Sequence, residues 1–345
     1  NGFFRIELNI ESPISLCFSY LGYETLCIES EELTNISSDF LLFPKKTEIE
    51  EVIIREYSGG DELRVFVDKY QSRASTDIIP GSMGATDVLR ELSLQPGVSR
   101  ANDLSSGISV RGLPSSSNAY LLDGVHIYEP NHAFGLYSVF NEKAINNIRF
   151  YKSSIPQSFP SRISSVVDNH LKAGNYNKMG LNLSLSNAAL GAEAEGPLIK
   201  GKSSFLISSR KSILDFYLPA ILKKYEVSED ANLDFWDLSF NISHRIKATQ
   251  SLELLGFSSA DKIRITNHPE GRVLQNKVDW SNNLLSLKWK ALFRNNLVTQ
   301  TQIAYTSYEN QKDSRLSVLL EEDPLYYQLA LRSGITDLLL KQNFQ

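Results

Sequence analysis

From about residue 178 onward apolar side chains recur at every second position, a period that fits extended strands with two unlike faces. Leu181, Leu183 and Leu185 interleave with Asn182, Ser184 and Ser186. Leu238, Phe240 and Ile242 interleave with Asp237, Ser239, Asn241 and Ser243. Leu285, Leu287, Trp289, Ala291 and Phe293 alternate with Ser286, Lys288 and Lys290, and Leu297, Ile303 and Tyr305 lie opposite the Gln300–Gln302 side. Turn signals stand between these stretches at Gly196-Pro197, His268-Pro269, Asn295-Asn296 and Asp323-Pro324. Two architectures satisfy the pattern. In a soluble sandwich the apolar face is the core; in a transmembrane barrel it meets lipid while the polar face lines the lumen. Segments of roughly 10 residues exceed the roughly 5–6 usual in soluble sheets and favour the barrel. Trp236, Trp280 and Tyr305 would suit interfacial girdles. No run approaches the ~20 apolar residues of a membrane helix, which says nothing against a barrel.

The front of the chain differs in texture. Phe4, Ile6 and Leu8, then Ile14, Leu16, Phe18 and Tyr20, alternate with polar or small neighbours up to the turn Leu21-Gly22-Tyr23. A small sheet domain over 1–46 accounts for them. Cys17 and Cys27 match no metal-ligand spacing and read as two small buried side chains in strands, with a single disulfide as the alternative. Residues 47–61 hold a short β-prone core, Val52-Ile53-Ile54, between charges and Gly59-Gly60. Such a segment can add to a partner's sheet edge through main-chain hydrogen bonds, or serve as a linker or edge strand.

Residues 62–172 mix helix and strand. Thr86 and Asp87 start a helix with Val88, Leu89 and Leu92 on one face, and Pro96-Gly97 stops it. Ile108 and Val110 form a strand ahead of a loop at 112–118, and Tyr120-Leu121-Leu122 runs into the turn Asp123-Gly124. A second helix is expected over Asn141–Ile148, where Ala144, Ile145 and Ile148 share a side, before a strand at Phe150-Tyr151.

The 345 residues fit two or three domains. A net charge of −5 without a basic run gives nucleic acid no electrostatic footing. No catalytic residue, metal or cofactor emerges. His126, Glu129 and His132 spell H-x-x-E-x-x-H, but Pro130 between them denies a shared helical face. Gly107-Ile-Ser-Val-Arg111 fails the nucleophile-elbow pattern at its last position, and 102–118 holds no phosphate loop.

Several motifs in order carry a resemblance. Asp87-Val-Leu-Arg-Glu-Leu-Ser-Leu-Gln-Pro-Gly-Val98 is followed by Gly107-Ile-Ser-Val-Arg111-Gly112 and then by Ala119-Tyr-Leu-Leu-Asp123-Gly124-Val125. Ala144–Ile148 before Phe150-Tyr151-Lys152, and Ser161-Arg-Ile-Ser-Ser-Val-Val-Asp168, complete the series, with Ser161 where a glycine is usual. This resembles the plug of TonB-dependent outer-membrane receptors. Residues 1–46 look like the second half of a carboxypeptidase-regulatory-like β-sandwich, as is fused ahead of the plug in receptors of Bacteroidetes-type bacteria. Gly196 to Arg210 is similar to the family's second barrel strand.

The resemblance implies a partial β-sandwich at 1–46, a TonB-box linker at 47–61, an α+β plug domain at 62–172 and transmembrane antiparallel β-barrel strands at 173–345. Those strands would be about eight of the roughly 22 in such transporters. With no signal peptide or initiator Met, and Asn1-Gly2-Phe3-Phe4 reading as mid-domain, the chain is expected to be a fragment. Glu50, Glu51, Val52, Ile53 and Ile54 take the place of the TonB box. Arg111 and Asp123 are expected to be buried and paired, beside Gly112 and Gly124 at turns, and to serve plug integrity. Tyr128, His132 and Tyr137 belong to a loop expected either to face substrate at the plug apex or to pack on the barrel wall. Implied partners are TonB with its inner-membrane energising complex, outer-membrane lipid, an extracellular small-molecule, siderophore or oligomeric substrate and, as a further candidate, a surface lipoprotein. The implied activity is TonB-energised import from the cell surface to the periplasm, in the outer membrane. A β-sheet adhesion or interaction protein, or a receptor that also signals, are the rival readings.

Overall fold

The computed structural model describes residues 15–18, 25–29, 69–72, 87–100, 107–152, 155–159, 164–225, 228, 230–268, 272–293, 297–318 and 325–344. The chain divides into two compact units, Asn1–Asp61 and Glu62–Gln345.

In the first unit, β1 (Ser15–Phe18) pairs antiparallel with β2 (Leu26–Glu29). The register sets Cys17 directly opposite Cys27, with Cα atoms 4.0 Å apart, and a disulfide joins them. Both cysteines are exposed, which corrects the reading of two buried thiols. Facing positions on one side of a hairpin bring the sulfurs together without any core. The rest of the expected half-sandwich and residues 47–61, with Glu50, Glu51, Val52, Ile53 and Ile54, lie outside the described residues.

The second unit begins with β3 (Lys69–Ser72) and a one-turn helix α1 (Val88–Leu92). Asp87 caps α1 by accepting from the amides of Leu89 at 2.9 Å and Arg90 at 3.0 Å. Gly97, at φ 76°, turns the chain after Pro96. There follow β4 (Val98–Arg100), β5 (Ile108–Val110), β6 (Ala119–Leu122), β7 (Val125–His126), β8 (Asn131–His132), β9 (Tyr137–Ser138), β10 (Ile145–Tyr151) and β11 (Val166–Leu171). Five of these form a sheet in the order β3-β10-β11-β6-β7, with α1 packed into its core through Val88, Leu89 and Leu92. The expected helix at 141–148 is instead a turn leading into β10. The β10–β11 register slips between Ile145 and Asn147, so one extra residue lets Ile145 and Ile148 both face inward. That bulge reproduces the three-residue spacing of a helix.

Then come β12 (Gly180–Leu185), β13 (Ala189–Ile199), β14 (Ser203–Ser212), helix α2 (Leu218–Lys224), β15 (Asp230–Lys247), β16 (Gln250–Asn267), β17 (Arg272–Leu292), β18 (Val298–Val318) and β19 (Leu325–Phe344). The eight strands form one antiparallel sheet in sequential order. Gly196-Pro197 lies inside β13 rather than at a turn. The register slips between Pro197 and Ile199, and a bulge is where a strand tolerates proline. Gly201, at φ 71°, makes the turn instead.

Residues on the two faces sort by parity, because β16 to β19 pair with one another without a slip. On one face Lys288, Gln302 and Thr306 contact 62–172, and this is the inner face. On the outer face a single register line carries Leu181, Ile207, Phe240, Leu285, Tyr305 and Leu338 across the sheet. The next line holds Leu254, Leu287, Ile303 and Leu340. Further along the same strands the outer face becomes charged, with Lys262, Asp279, Gln311 and Arg332 on one line and Arg264, Lys277 and Asp313 on another. An apolar belt bounded by charge is the exterior that a lipid-spanning barrel requires. Trp236 and Tyr305 are exposed on this outer face, whereas Trp280 is buried on the inner one and cannot belong to a girdle. No helix among the described residues is long and apolar enough to cross a membrane.

Candidate functional site at the plug and wall

The hairpin between β6 and β7 turns at Asp123 and Gly124, with φ 51° and 80°. A two-residue turn with both φ positive suits Asp-Gly and the twist of the strands it joins. The Asp123 carboxylate is buried. It accepts from Lys288 Nζ on β17 at 2.9 Å, from the Leu171 amide at 3.1 Å, and lies 3.1 Å from His170 Nδ1. Gln302 Nε2 donates to the Asp123 carbonyl at 3.0 Å, and the Gly124 amide donates to Asp168 at 2.8 Å. Burial alone would raise the Asp123 pKa, but Lys288 and then His170 outweigh it and hold the carboxyl below the usual carboxylate range. His170 lies 3.2 Å from Asp168 through its other nitrogen. Burial pulls the His170 pKa down, and Asp168 and Asp123 more than reverse this, to about 9. Arg111, expected to be buried and paired, is exposed at φ 54°, with no ion pair among the described residues; Gly112 beside it has φ 78°. Arg111 follows directly on the end of β5, at a turn with open space beside Gly112.

The loop from Tyr128 to Tyr137 is bound to the inner face at successive positions. Asn282 Nδ2 donates to the Glu129 carbonyl at 3.0 Å, Trp280 Nε1 to the Asn131 carbonyl at 3.3 Å, and Arg210 Nη2 to the Ser138 carbonyl at 2.8 Å. His132 is fully buried between two carboxylates of adjacent strands, Asp261 at 2.7 Å and Asp237 at 3.3 Å, and stacks on Phe235. Burial opposes charge on this ring, but Asp261 and Asp237 prevail and raise its pKa. Tyr137 is also buried, its phenol pushed up to about 12 by burial and Asp87. Tyr128 is half-buried and its hydroxyl donates to Asp337. His132 and Tyr137 therefore both pack on the wall, His132 between two carboxylates and Tyr137 against Phe235 and its apolar neighbours. The His126 ring lies tilted against Tyr128, their centroids 4.5 Å apart, and the Glu129 carboxylate accepts from Asn131, so H-x-x-E-x-x-H does not converge on one point.

One residue of the loop stays open. Phe134 is 63% exposed, with φ 56° and ψ 27°, and its ring stands 5.5 Å from that of Trp280. A phenylalanine in left-handed backbone is uncommon and belongs where surrounding structure fixes it. Neither Phe134 nor Asp261 stood out in the sequence; an aromatic before a glycine in a polar loop was the only available signal. Beside Trp280 a cavity of about 590 Å³ spans β16 to β19, lined by Asp261, Lys262, Asp279, Asn310 and Arg332 among others.

Residues 72–161 match the family model of the TonB-dependent Receptor Plug Domain. No curated protein matches the chain. Among solved structures, the siderophore receptor PirA from Acinetobacter baumannii shares 10% identity at a TM-score of 0.41, over 80% of this chain and 58% of that one. The ferric citrate transporter FecA in its unliganded form shares 13% identity at 0.45, over 80% and 53%. PirA from Pseudomonas aeruginosa shares 12% at 0.38, over 78% and 59%. The chain spans less than two thirds of the length of these structures. With the plug match and the belted sheet together, the chain carries a plug domain similar to that of TonB-dependent receptors, set on one face of an eight-stranded antiparallel sheet.

Proposed function

We propose that this chain acts as a TonB-dependent receptor of the outer membrane, taking an extracellular substrate into the periplasm with energy delivered through TonB. One observation carries the reading: a segment matching the plug model is bound to the polar inner face of a sheet whose outer face carries an apolar belt. A barrel wide enough to import a solute needs such a filling, and an outer membrane without nucleotide energy needs a partner that pulls on it. In this reading Glu50–Ile54 is the strand handle for TonB, and Asp123 and His132 hold the plug in place until force is applied. The N-terminal unit is read as a carboxypeptidase-regulatory-like domain of the Bacteroidetes type, and the cargo as a small molecule, siderophore or oligomer. The test is calorimetric titration of the periplasmic domain of TonB into the full-length protein, with and without Ile53→Pro. Binding abolished by proline, which removes a backbone donor from the strand, supports both the reading and the handle. Equal binding by both forms moves the handle elsewhere, and no binding by either rejects the reading.

A further inference from the structure

We propose that Lys290 and Gln300 form a second seat for the Asp123 hairpin, one register step nearer the periplasm, which the plug takes up when it is pulled; the direction of pull rests on the receptor reading above. Short turns at 200–202 and 248–249 close one end of the sheet and the longer connection 213–229 lies at the other, so the first end is the periplasmic one. β17 runs towards that end and β18 away from it. The hairpin sits on a cross-strand pair, Lys288 opposite Gln302, with Lys288 on the Asp123 carboxylate and Gln302 on its carbonyl. One step along, the same inner face repeats the pair in the same order, Lys290 opposite Gln300. Two residues of extended strand span roughly 7 Å. A slide of that length towards the periplasm brings Asp123 to the same two kinds of donor.

The charges on the wall suit such a transfer. Lys288 keeps a second carboxylate, Glu253 at 3.5 Å, so it is not left buried and unpaired when Asp123 departs. Lys290 stands opposite Ser251 on one side and Gln300 on the other, and it makes no ion pair among the described residues. It is a cation whose carboxylate can come from the plug. Asp123 does not travel alone. His170, 3.1 Å away, and Asp168 beyond it are plug residues, so the triad moves as a unit and keeps its internal contacts. The apex loop has no second seat of this kind. One step nearer the periplasm than Asp237 and Asp261, the same face offers Ser239 and Ser259, which cannot replace two carboxylates around His132. The hairpin thus has two positions and the loop one, and a packed interface with discrete positions switches rather than drifts. The His132 clamp holds the plug in the first position at rest, and the second is occupied only under load.

The experiment uses the full-length protein in intact cells, with zero-length oxidative cross-linking of paired cysteines. Thr306 Oγ1 donates to the carbonyl of His126 on the same hairpin, and Ala304 lies one step nearer the periplasm on that face. His126→Cys should link to Thr306→Cys when a protonophore has collapsed the proton gradient, and to Ala304→Cys in energised cells. Lys290→Gln should cut the Ala304→Cys link at least about fivefold, and Lys290→Arg should restore it. Neither should change the Thr306→Cys link, whereas loss of a residue that merely supports the fold would weaken both links. An Ala304→Cys link equally strong in Lys290→Gln overturns the second seat and leaves the receptor reading standing. So does absence of that link in energised cells from a protein that binds the TonB periplasmic domain in the titration above. Absence of both the link and TonB binding overturns the receptor reading, and the seat with it.

Discussion

The carboxylate of Asp261 on the wall accepts from the amide of Ala133 at 2.8 Å and holds the ring of His132 at 2.7 Å, so one side chain fixes both the charge and the backbone of the plug loop. Asp237 closes the other side of the ring and is itself held by Arg210 Nε at 2.8 Å. The loop takes three successive positive φ values, at Ala133, Phe134 and Gly135, directly beyond this anchor.

Asp261→Ala should therefore do more than remove a contact. It leaves His132 buried with one carboxylate and frees a strained turn, at a cost of about 3 kcal/mol. Hydrogen exchange across 128–138 should accelerate, while the β10–β11 amides keep their protection. Asp261→Asn, which retains an acceptor for Ala133, should loosen the loop less.

The Asp123–Lys288 pair joins the plug to β17. A double-mutant cycle with Asp123→Asn and Lys288→Gln should give a coupling of roughly 1–3 kcal/mol in unfolding of the full-length protein. Additive effects would show that the two residues act separately.

The pH dependence follows from His170. Its folded pKa of about 9 exceeds the usual 6.5, so its stabilising charge is fully present below about 6.5 and is lost as pH rises through 9. His132, also raised, works in the same direction. Asp123, held low, contributes fully above the usual carboxylate pKa and loses that contribution only as pH falls below it towards the lower folded value. Thermal stability should thus decline between pH 7 and about 9, and His170→Gln should flatten that decline. An unchanged slope in the variant would contradict the assignment.

The outer belt has its own test. Ile303→Arg places a charge in the apolar belt and should cost about 2–4 kcal/mol in barrel assembly, whereas Gln311→Lys, further along the same face, should be nearly neutral. Heat-modifiable migration of the assembled protein reads both.

Much of this was legible in the residues, and what was not has physical reasons. Asp87 announced its helix through its own cap, and Asp123-Gly124 its turn, because both are local chemistry. The strands from β12 onward followed from period-two alternation. Ile145 and Ile148 misled because a bulge imitates helical spacing, and Pro197 because a bulge admits proline into a strand. His132 gave no sign of its partners, which lie more than a hundred residues away on two strands where they read as ordinary polar alternates. Trp280 does not fit the expected girdle because its parity in β17 sets it on the same face as Lys288 rather than that of Leu285 and Leu287, which nothing near it in sequence marks.

The seat of the plug on the inner face is tested most directly by paired cysteines and a short thiol cross-linker in intact cells. Asn282 on β17 reaches the Glu129 carbonyl, and Asn283, the next residue, is exposed on the opposite face. Glu129→Cys should cross-link with Asn282→Cys and fail with Asn283→Cys. Cross-linking to Asn283→Cys, or to neither, would contradict a plug held inside the wall.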